Sequence, residues 1–280
     1  ARGGVVLRMG TSYAKLKRMT ASVQSERDPT RRFSSRVDNY VSFRPGYPKE
    51  ILALLKSECG MSNRSVIADI GSGTGKLTEL FLENGNPVFG VEPNREMREA
   101  GERFLKQFPH FTSIDATAEA TMLPNSSVDF IVAGQAFHWF NRAQCREEFV
   151  RILKPGSWVV LLWNDRKTEA TPFLHEYEKL LQTYATDYSK VDHKNIDDEI
   201  VGEFFGYAPL KVKIPSAQHF DLEGLKGRLL SSSYAPDQGQ PGHAEMLRDL
   251  EMIFNSRQKN GRVEFAYDTV VYYGKLGGTP

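Results

Sequence analysis

The sequence has few cysteines and no long apolar run, and each of these two absences argues against a class of protein. Only 2 of the 280 residues are cysteine, Cys59 and Cys145, and their spacing is not that of a metal or redox site. We therefore expect no disulfide framework and a reducing compartment, the cytoplasm. No apolar run is long enough to cross a bilayer, so we expect no membrane span.

An excess of charge of one sign is missing as well. The formal net charge is +1 at pH 7, which gives no electrostatic case for a nucleic-acid partner. No cluster with metal-ligand spacing is visible, so we expect no metal. With 40% hydrophobic and 25% charged residues, the composition is that of a globular chain, long enough for one large domain or one domain with a cap.

One stretch is rich in glycine. Residues 66–70 form a short apolar run broken only by Asp69, and Gly71, Gly73 and Gly75 follow at every second position. The apolar residues that come next recur at helical spacing, so the stretch predicts a buried strand, a tight turn and a helix. Glycine lets a ligand lie close to the main chain, and a helix N-terminus offers unpaired N–H groups. The pattern predicts a nucleotide-type binding site.

The spacing of these glycines separates several kinds of nucleotide site. A dinucleotide site expects G-x-G-x-x-G, but Lys76 stands where its third glycine would be. A P-loop is excluded because no G-K-[ST] closes the run. The pattern D-x-G-x-G-x-G, from Asp69 to Gly75, closely resembles motif I of the class I S-adenosylmethionine (SAM) methyltransferases. An NAD(P)-dependent oxidoreductase, a non-catalytic SAM-binding protein and a glycine-rich turn of some other α/β protein stay open as alternatives.

A second acid stands at the end of the next predicted strand. Residues 87–94 read as a buried strand that ends in the carboxylate of Glu92, roughly twenty residues after Asp69. An acid at this place can accept both hydroxyls of a ribose. NAD and SAM enzymes share that use, so Glu92 alone does not separate them, and a solvated glutamate at a strand end is the alternative.

The segment before the first predicted helix extends the resemblance. Tyr40 and the run Arg44-Pro45-Gly46-Tyr47-Pro48 resemble the trans-aconitate methyltransferase-like, type 11 group of small-molecule methyltransferases. In that group the segment folds over the cofactor pocket. The resemblance implies that Tyr40 and Arg44 face the pocket, where Arg44 could contact a carboxylate of SAM or of an acidic acceptor. A proline-stiffened surface turn, with Tyr47 packed on the core, is the alternative.

The rest of the chain predicts alternating strands and helices. Strands are expected over residues 111–116, 128–133, 158–164, 211–220 and 263–273, and later helices over residues 173–184, 196–205, 222–230 and 244–254. The resemblance, which covers about residues 33–276, implies an α/β fold. This fold is a Rossmann-like, seven-stranded, mostly parallel sheet with a reversed last strand, helices on both faces and a helical cap.

Two domain-level expectations follow. We expect a flexible tail over residues 1–32, as a tag remnant or loose tail rather than a transit-like peptide. The methyltransferase domain would then cover residues 33–280. Its SAM-binding core would span about residues 33–165, and its cap insertions and terminal strands about residues 166–276.

The resemblance also implies the ligand contacts. For the cofactor SAM they are Asp69, Gly71, Ser72, Gly73, Thr74, Gly75, Glu92, Pro93, Asn94, Met97, Asp115, Ala116, Glu119 and Gln135. For the substrate they are Tyr40, Arg44, His138, Trp139 and Tyr234. His138 is the candidate general base, because a histidine titrates near neutral pH, and packing between aromatic rings is its alternative role. The implied reaction is in-line methyl transfer to a small-molecule acceptor, by a monomer or a homodimer.

Overall fold

A computed structural model describes residues 41–185 and 197–276. Within these residues a seven-stranded sheet has the order β3-β2-β1-β4-β5-β7-β6. The strands are β1 (Ile67–Ile70), β2 (Val88–Val91), β3 (Phe111–Ile114), β4 (Val128–Gly134), β5 (Leu153–Arg166), β6 (Leu210–Phe220) and β7 (Val263–Gly274). Tyr40 and the predicted tail over residues 1–32 lie outside the described residues, and the predicted domain limits stay a prediction.

The α-helices connect these strands and cover the sheet. They are α1 (Glu50–Cys59), α2 (Lys76–Glu83), α3 (Arg95–Phe104), α4 (Arg142–Ile152), α5 (Pro172–Tyr184), α6 (Asp198–Phe205), α7 (Leu222–Leu230) and α8 (His243–Arg257), with a 3-10 helix at Phe137–Trp139. Gly60 ends α1 in the left-handed conformation, as its place after the helical pattern predicts. Across the described residues, each helix falls short of the length or the apolar character that a membrane crossing requires.

Strand pairing confirms the predicted mostly parallel sheet with one reversed strand. β1 pairs in parallel with β2 and β4, whereas β7 runs antiparallel to both β5 and β6. Parallel strands are covered on both faces, and all four residues of β1 are accordingly buried. Because parallel strands end at one edge of the sheet, Asp69 of β1, the end of β2 and the end of β4 come together there.

The core consists of one apolar cluster on each face of the sheet. Ile67 of β1 packs with Phe81 of α2 in one cluster. Ala68 of β1 packs with Phe149 of α4 and Val201 of α6 in the other. The alternation of neighbouring β1 residues between the clusters follows the strand period of two. Helices therefore cover both faces, as the sequence predicts.

A third apolar cluster forms the predicted helical cap, which we define as α5, α7 and α8 together with residues 231–242. Tyr177 of α5, Leu229 of α7 and Leu250 of α8 pack on Phe265 and Tyr267 of β7. The cap thus lies over the ends of the last two strands.

The fifth strand is longer than predicted. The strand was predicted over residues 158–164, but Pro155 and Gly156 are already part of β5, because Leu153 pairs with Val128 of β4. The register then shifts before Phe130 pairs with Trp158. Pro155 has no N–H to donate, and such an irregularity is where a strand tolerates proline. Periodicity alone missed this stretch because residues 153–157 do not alternate.

Candidate active site

The glycine loop after β1 has a backbone that requires glycine. Gly71, Gly73 and Gly75 have φ angles of 70°, 56° and 84°, all in the left-handed region. A Cβ added at Gly71 would lie 2.6 Å from the Cβ of Ala136, and one added at Gly75 would lie 2.6 Å from Leu105. These approaches bring the loop against Ala136 after β4 and against Leu105 after α3, where a side chain would not fit.

Glu92 follows β2 and is held by the backbone beside it. One carboxylate oxygen accepts the Gly73 N–H at 2.9 Å, and the other accepts the Asn94 N–H at 2.8 Å. The residue is 8% exposed. Burial raises the pKa of Glu92, although the two N–H donors and Arg98 act in the opposite direction. Each carboxylate oxygen can accept at least one more hydrogen bond, so Glu92 can also accept from donors such as ribose hydroxyls.

Asp69 lies at the end of β1 with an unsatisfied oxygen. Its Oδ2 accepts the Thr78 hydroxyl at 2.6 Å, whereas its Oδ1 is buried and has no hydrogen-bond partner among the described residues. Burial raises the pKa of Asp69 to about 7, Thr78 lowers it, and the nearby Glu92 carboxylate raises it. A buried acceptor without a donor is costly, so the position suits a ligand that brings one, such as an ammonium group. The hydroxyl of Thr74 is likewise buried without a partner within residues 41–185 and 197–276.

Helix α3 packs directly on the glycine loop. Asn94 caps α3 by accepting the Met97 N–H at 2.9 Å, and Pro93 joins this cap to Glu92. Met97 is buried, and its methyl carbon lies 3.3 Å from a Cβ added at Gly73. The predicted cofactor residues of β1, the loop and the start of α3 therefore form one continuous surface.

Two acidic residues after β3 already make contacts within the protein. Asp115 has a largely exposed side chain that pairs with Arg98 at 2.8 Å, and Ala116 is buried. A carboxylate oxygen of Glu119 accepts the Asn141 N–H at 2.8 Å, next to the start of α4. Asp115 thus offers acceptor oxygens towards solvent, whereas Glu119 ties two loops together.

Gln135 follows β4 in a strained conformation. Its φ of 58° is uncommon for a residue other than glycine. The Gln135 N–H donates to Leu162 of β5, and its side-chain amide approaches the Asn164 carbonyl at 3.5 Å. The Asn164 side chain accepts the Thr269 hydroxyl at 2.6 Å and donates to the Gly46 carbonyl at 3.2 Å. These contacts connect the end of β4, the end of β5 and the middle of β7 to the proline segment, which we define as residues 43–48.

The predicted substrate residues on the 3-10 helix are half-buried. The His138 and Trp139 rings lie 4.8 Å apart between centroids, tilted by 44°. Phe137 between β4 and His138 is fully buried and anchors the turn in the core. His138 therefore lies just beyond the end of β4, three residues after Gln135.

The proline segment bridges the sheet and the cap. An Arg44 guanidinium nitrogen donates to the Ser231 carbonyl at 3.1 Å. A Cβ added at Gly227 of α7 would lie 2.1 Å from the Phe43 ring, and one added at Gly134 would lie 2.3 Å from the Tyr47 hydroxyl. Tyr47 also packs against the core, as the alternative interpretation of this segment expects. That the segment folds over the cofactor pocket stays a prediction.

A polar cluster lies beneath the cap, and sequence reasoning missed most of it. We define the cap cluster as Arg44, Arg166, Tyr177, Glu178, Arg228, Ser232, Tyr234 and Tyr267. Arg166 of β5 pairs with Glu178 of α5, and its guanidinium carbon lies 5.0 Å from the centre of the Tyr177 ring. The signal that could have found Arg228 is its position on the same face of α7 as Leu225 and Leu229.

The predicted substrate residue Tyr234 belongs to this cluster. Burial raises the pKa of Tyr234, but the guanidiniums of Arg166, Arg228 and Arg44 outweigh burial and lower it overall. Ser232 also hydrogen-bonds to Tyr234 and acts in the same direction as the guanidiniums. Three cations from β5, α7 and the proline segment therefore converge on one phenol.

Comparison with protein families and sequences gives a consistent result. Residues 68–161 match a family described as a methyltransferase domain. A Schizosaccharomyces pombe protein described as an uncharacterized methyltransferase is 28% identical, covering 86% of this chain and 96% of its own length. Another protein of that yeast, described as methyltransferase-like, is 30% identical, covering 86% of this chain and 93% of its own length.

Comparison with solved structures adds the fold. A candidate type II methyltransferase of Anaeromyxobacter dehalogenans superposes with a TM-score of 0.61 at 20% identity, covering 84% of this chain and 98% of its own. A candidate methyltransferase from an antibiotic biosynthesis pathway of Anabaena variabilis gives a TM-score of 0.55 at 20% identity, covering 85% of this chain and 99% of its own.

Proposed function

The chain belongs to the class I SAM-dependent methyltransferases, and from that premise we propose that it methylates a small-molecule acceptor bound between the glycine loop and the cap. The observation that carries the cofactor assignment is the pair of buried acids at neighbouring strand ends. Glu92 is fixed by two N–H groups, and Asp69 keeps an oxygen without a donor. Family membership leaves the NAD(P) oxidoreductase alternative without support.

The residues around these acids fit the parts of SAM. Glu92 would accept the two ribose hydroxyls, and Asp69 would accept from the ammonium of the amino-acid tail. That tail would lie along the glycine loop, residues 71–75, three of which are glycines without a Cβ. Asn94 and Met97 shape the ribose side, and Asp115, Ala116 and Glu119 border the adenine. Gln135 borders the amino-acid tail from the end of β4.

The main contribution of the protein to the reaction is to position the acceptor next to the methyl group. Bound SAM supplies a methyl group on a sulfonium that is already an excellent leaving group. The cap and the proline segment hold the acceptor in line with that methyl, and they exclude water. Arg44, His138, Trp139 and Tyr234 line the acceptor side, and we add Tyr40 on the resemblance alone. A hydroxyl or amine acceptor would give its proton to His138, whereas a carboxylate acceptor is already ionised at pH 7.

We also propose that residues 33–280 act as one domain, as a monomer or a homodimer, in the cytoplasm. The thiols of Cys59 and Cys145 are unpaired, as a reducing compartment allows. Burial raises the pKa of Cys59 to about 12, so that thiol is unreactive at neutral pH.

Isothermal titration with SAM and with NAD tests the cofactor assignment. We expect SAM to bind in the micromolar range and NAD to bind more weakly. Tighter binding of NAD would contradict the proposal. Transfer of a labelled methyl group from SAM to a panel of small acids, phenols and amines then tests catalysis. Transfer only to protein or nucleic acid would contradict the small-molecule acceptor.

A further inference from the structure

Two arginines of α3 lie in different surroundings. The Arg95 side chain is 77% exposed and pairs with Glu99 one turn later, as an ordinary surface ion pair does. The Arg98 side chain is only 14% exposed. Removing a guanidinium from water is unfavourable unless hydrogen bonds replace its hydration, so Arg98 must be stabilised by contacts that Arg95 does not require.

Arg98 donates to the two strand ends that lie beside the cofactor crevice. One terminal guanidinium nitrogen donates to the carbonyl oxygen of Glu92, directly after β2, at 3.0 Å. The other donates to a carboxylate oxygen of Asp115, directly after β3, at 2.8 Å. The rigid planar fork of a guanidinium holds two acceptors in fixed directions. Arg98 therefore joins the ends of two neighbouring strands.

The contact with Glu92 explains the burial of Arg98 better than the ion pair does. The Asp115 side chain is 70% exposed, and an ion pair with an exposed partner contributes little to stability. The charge of Arg98 also affects the Glu92 carboxylate. Burial raises the pKa of Glu92, and the nearby Arg98 cation lowers it. Arg98 thus favours the ionised form of Glu92, in which both oxygens accept hydrogen bonds.

The Glu92 carbonyl belongs to the turn that orients the Glu92 carboxylate. The Glu92 N–H donates to the Ile114 carbonyl of β3 at 3.1 Å, so Arg98 and β3 hold the main chain of Glu92 through its two polar groups. Pro93 follows, and the Asn94 N–H then donates to one Glu92 carboxylate oxygen at 2.8 Å. Rotation of the peptide between Glu92 and Pro93 would carry that N–H away from the carboxylate.

We propose that Arg98 is a positioning residue of the cofactor site, which holds the Glu92 carbonyl against the end of β3 and so keeps the Glu92 carboxylate oriented towards the ribose hydroxyls. The inference rests on the proposed function, in which Glu92 would accept those hydroxyls. Arg98 acts through Glu92 rather than by contact with the cofactor. Its removal should therefore weaken only the part of the affinity that the ribose hydroxyls contribute.

A cofactor analogue without ribose hydroxyls tests this role. We would titrate the protein calorimetrically with S-adenosylhomocysteine and with its dideoxy analogue, which lacks both ribose hydroxyls but keeps the adenine and the amino-acid tail. Arg98→Met should weaken the binding of S-adenosylhomocysteine by about threefold to tenfold, because the hydrogen bond that fixes the Glu92 main chain is lost. The same variant should bind the dideoxy analogue as the wild type does, since that analogue has no hydroxyl for Glu92 to accept.

Further variants connect the effect to Glu92. Arg95→Met is the matched control, because Arg95 lies on the same helix and its partner is Glu99. It should leave both affinities unchanged. Arg98→Lys keeps the charge but presents one nitrogen in place of two, so it should lose less affinity than Arg98→Met. The double variant Glu92→Ala with Arg98→Met should bind S-adenosylhomocysteine as Glu92→Ala alone does, because Arg98 acts through Glu92.

The outcomes separate this inference from the proposed function. Failure of the wild-type protein to bind S-adenosylhomocysteine would overturn the proposed function itself. Normal binding by the wild type with an unchanged affinity in Arg98→Met would overturn only the role of Arg98. An equal loss for S-adenosylhomocysteine and the dideoxy analogue, or an equal loss in Arg95→Met, would show a general effect on the fold and would also overturn it. Should Arg98→Met fail to fold, the same comparison of the two ligands in Arg98→Lys decides.

The double variant gives a separate criterion. If Arg98→Met weakened binding by the same factor with Glu92 present and with Glu92 replaced by alanine, the two residues would act independently. That result would contradict positioning through Glu92.

Discussion

The cofactor crevice and the cap cluster are built in different ways. The crevice uses contiguous pieces of chain, and its acids are held by backbone N–H groups and by Thr78. The cap cluster uses side chains from the proline segment, β5, α5, α7 and β7, which contact one another across the fold. The crevice carries two buried acids, whereas the residues that define the cluster include three arginines and one glutamate. A site formed by backbone groups is fixed by the local conformation of the chain. A site formed by side chains depends on contacts between residues that are distant in sequence.

Removing one partner of the ion pair between Arg166 and Glu178 should have the largest effect on the free energy of unfolding. Arg166 and Glu178 have side-chain exposures of 9% and 11%. Glu178→Leu would leave the Arg166 guanidinium buried beside an apolar residue, so we expect the free energy of unfolding to fall by about 3–5 kcal/mol. Urea denaturation would measure it. The double variant Arg166→Met with Glu178→Leu should recover most of the loss, and an equal loss in both proteins would contradict strong coupling.

Gly71→Ala should have the next largest effect, because the crevice depends on its backbone. The left-handed φ costs about 1–2 kcal/mol for alanine, and contact with Ala136 adds a packing cost of about 1–3 kcal/mol. We expect a loss of about 2–5 kcal/mol in unfolding free energy. Gly60→Ala is the control, since Gly60 has a φ of 67° with nothing within 4 Å of an added Cβ. Equal losses in the two variants would contradict the close approach to Ala136.

Glu92→Ala should weaken the binding of SAM by about 1–3 kcal/mol, through lost charge-assisted hydrogen bonds. Isothermal titration would measure this affinity. Glu99→Ala is the matched control, because Glu99 is an α3 glutamate whose partner is Arg95, outside the crevice. Unchanged affinity in Glu92→Ala would remove this residue from the cofactor site.

The smallest expected effect is a dependence on pH that Asp69 imposes. Its pKa is about 7 in the folded chain against an ordinary value of 3.8, so between these pH values the folded state holds a proton that the unfolded chain has released. Stability due to this group is therefore fully present below about pH 4 and is lost as the pH rises to about 7. Affinity for the SAM ammonium should rise over the upper part of this window, as Asp69 ionises.

Comparison with Asp69→Asn isolates this contribution. Unfolding free energies from pH 4 to 9 should show the wild type losing stability relative to the variant as the pH rises, and the difference should level off above about pH 7. Thr78→Val should move the midpoint upward, because the Thr78 hydroxyl lowers the pKa of Asp69. A difference that stays flat with pH would contradict an uncharged Asp69 in the folded protein.

Local sequence patterns were sufficient to predict the structural elements of the cofactor crevice. The glycine loop, the helix start after Gly75 and the acid after β2 depend on residues that are close along the chain, and the structure has each of them. The family resemblance implied a seven-stranded, mostly parallel sheet with a reversed last strand, which the observed pairing confirms. The length of β5 was underestimated because its first residues precede a register shift and do not alternate between apolar and polar.

The amino-acid sequence alone was enough for the fold class and the cofactor motif, because backbone conformation and burial periodicity are properties of short segments. Only the folded chain revealed the cap cluster. Insertion of β7 between β5 and β6 sets Tyr267 opposite Arg166, and packing of α7 brings Arg228 onto Tyr267. The environment of a buried charge depends on which distant segments surround it, and that is decided by how strands and helices pack rather than by their neighbours along the chain.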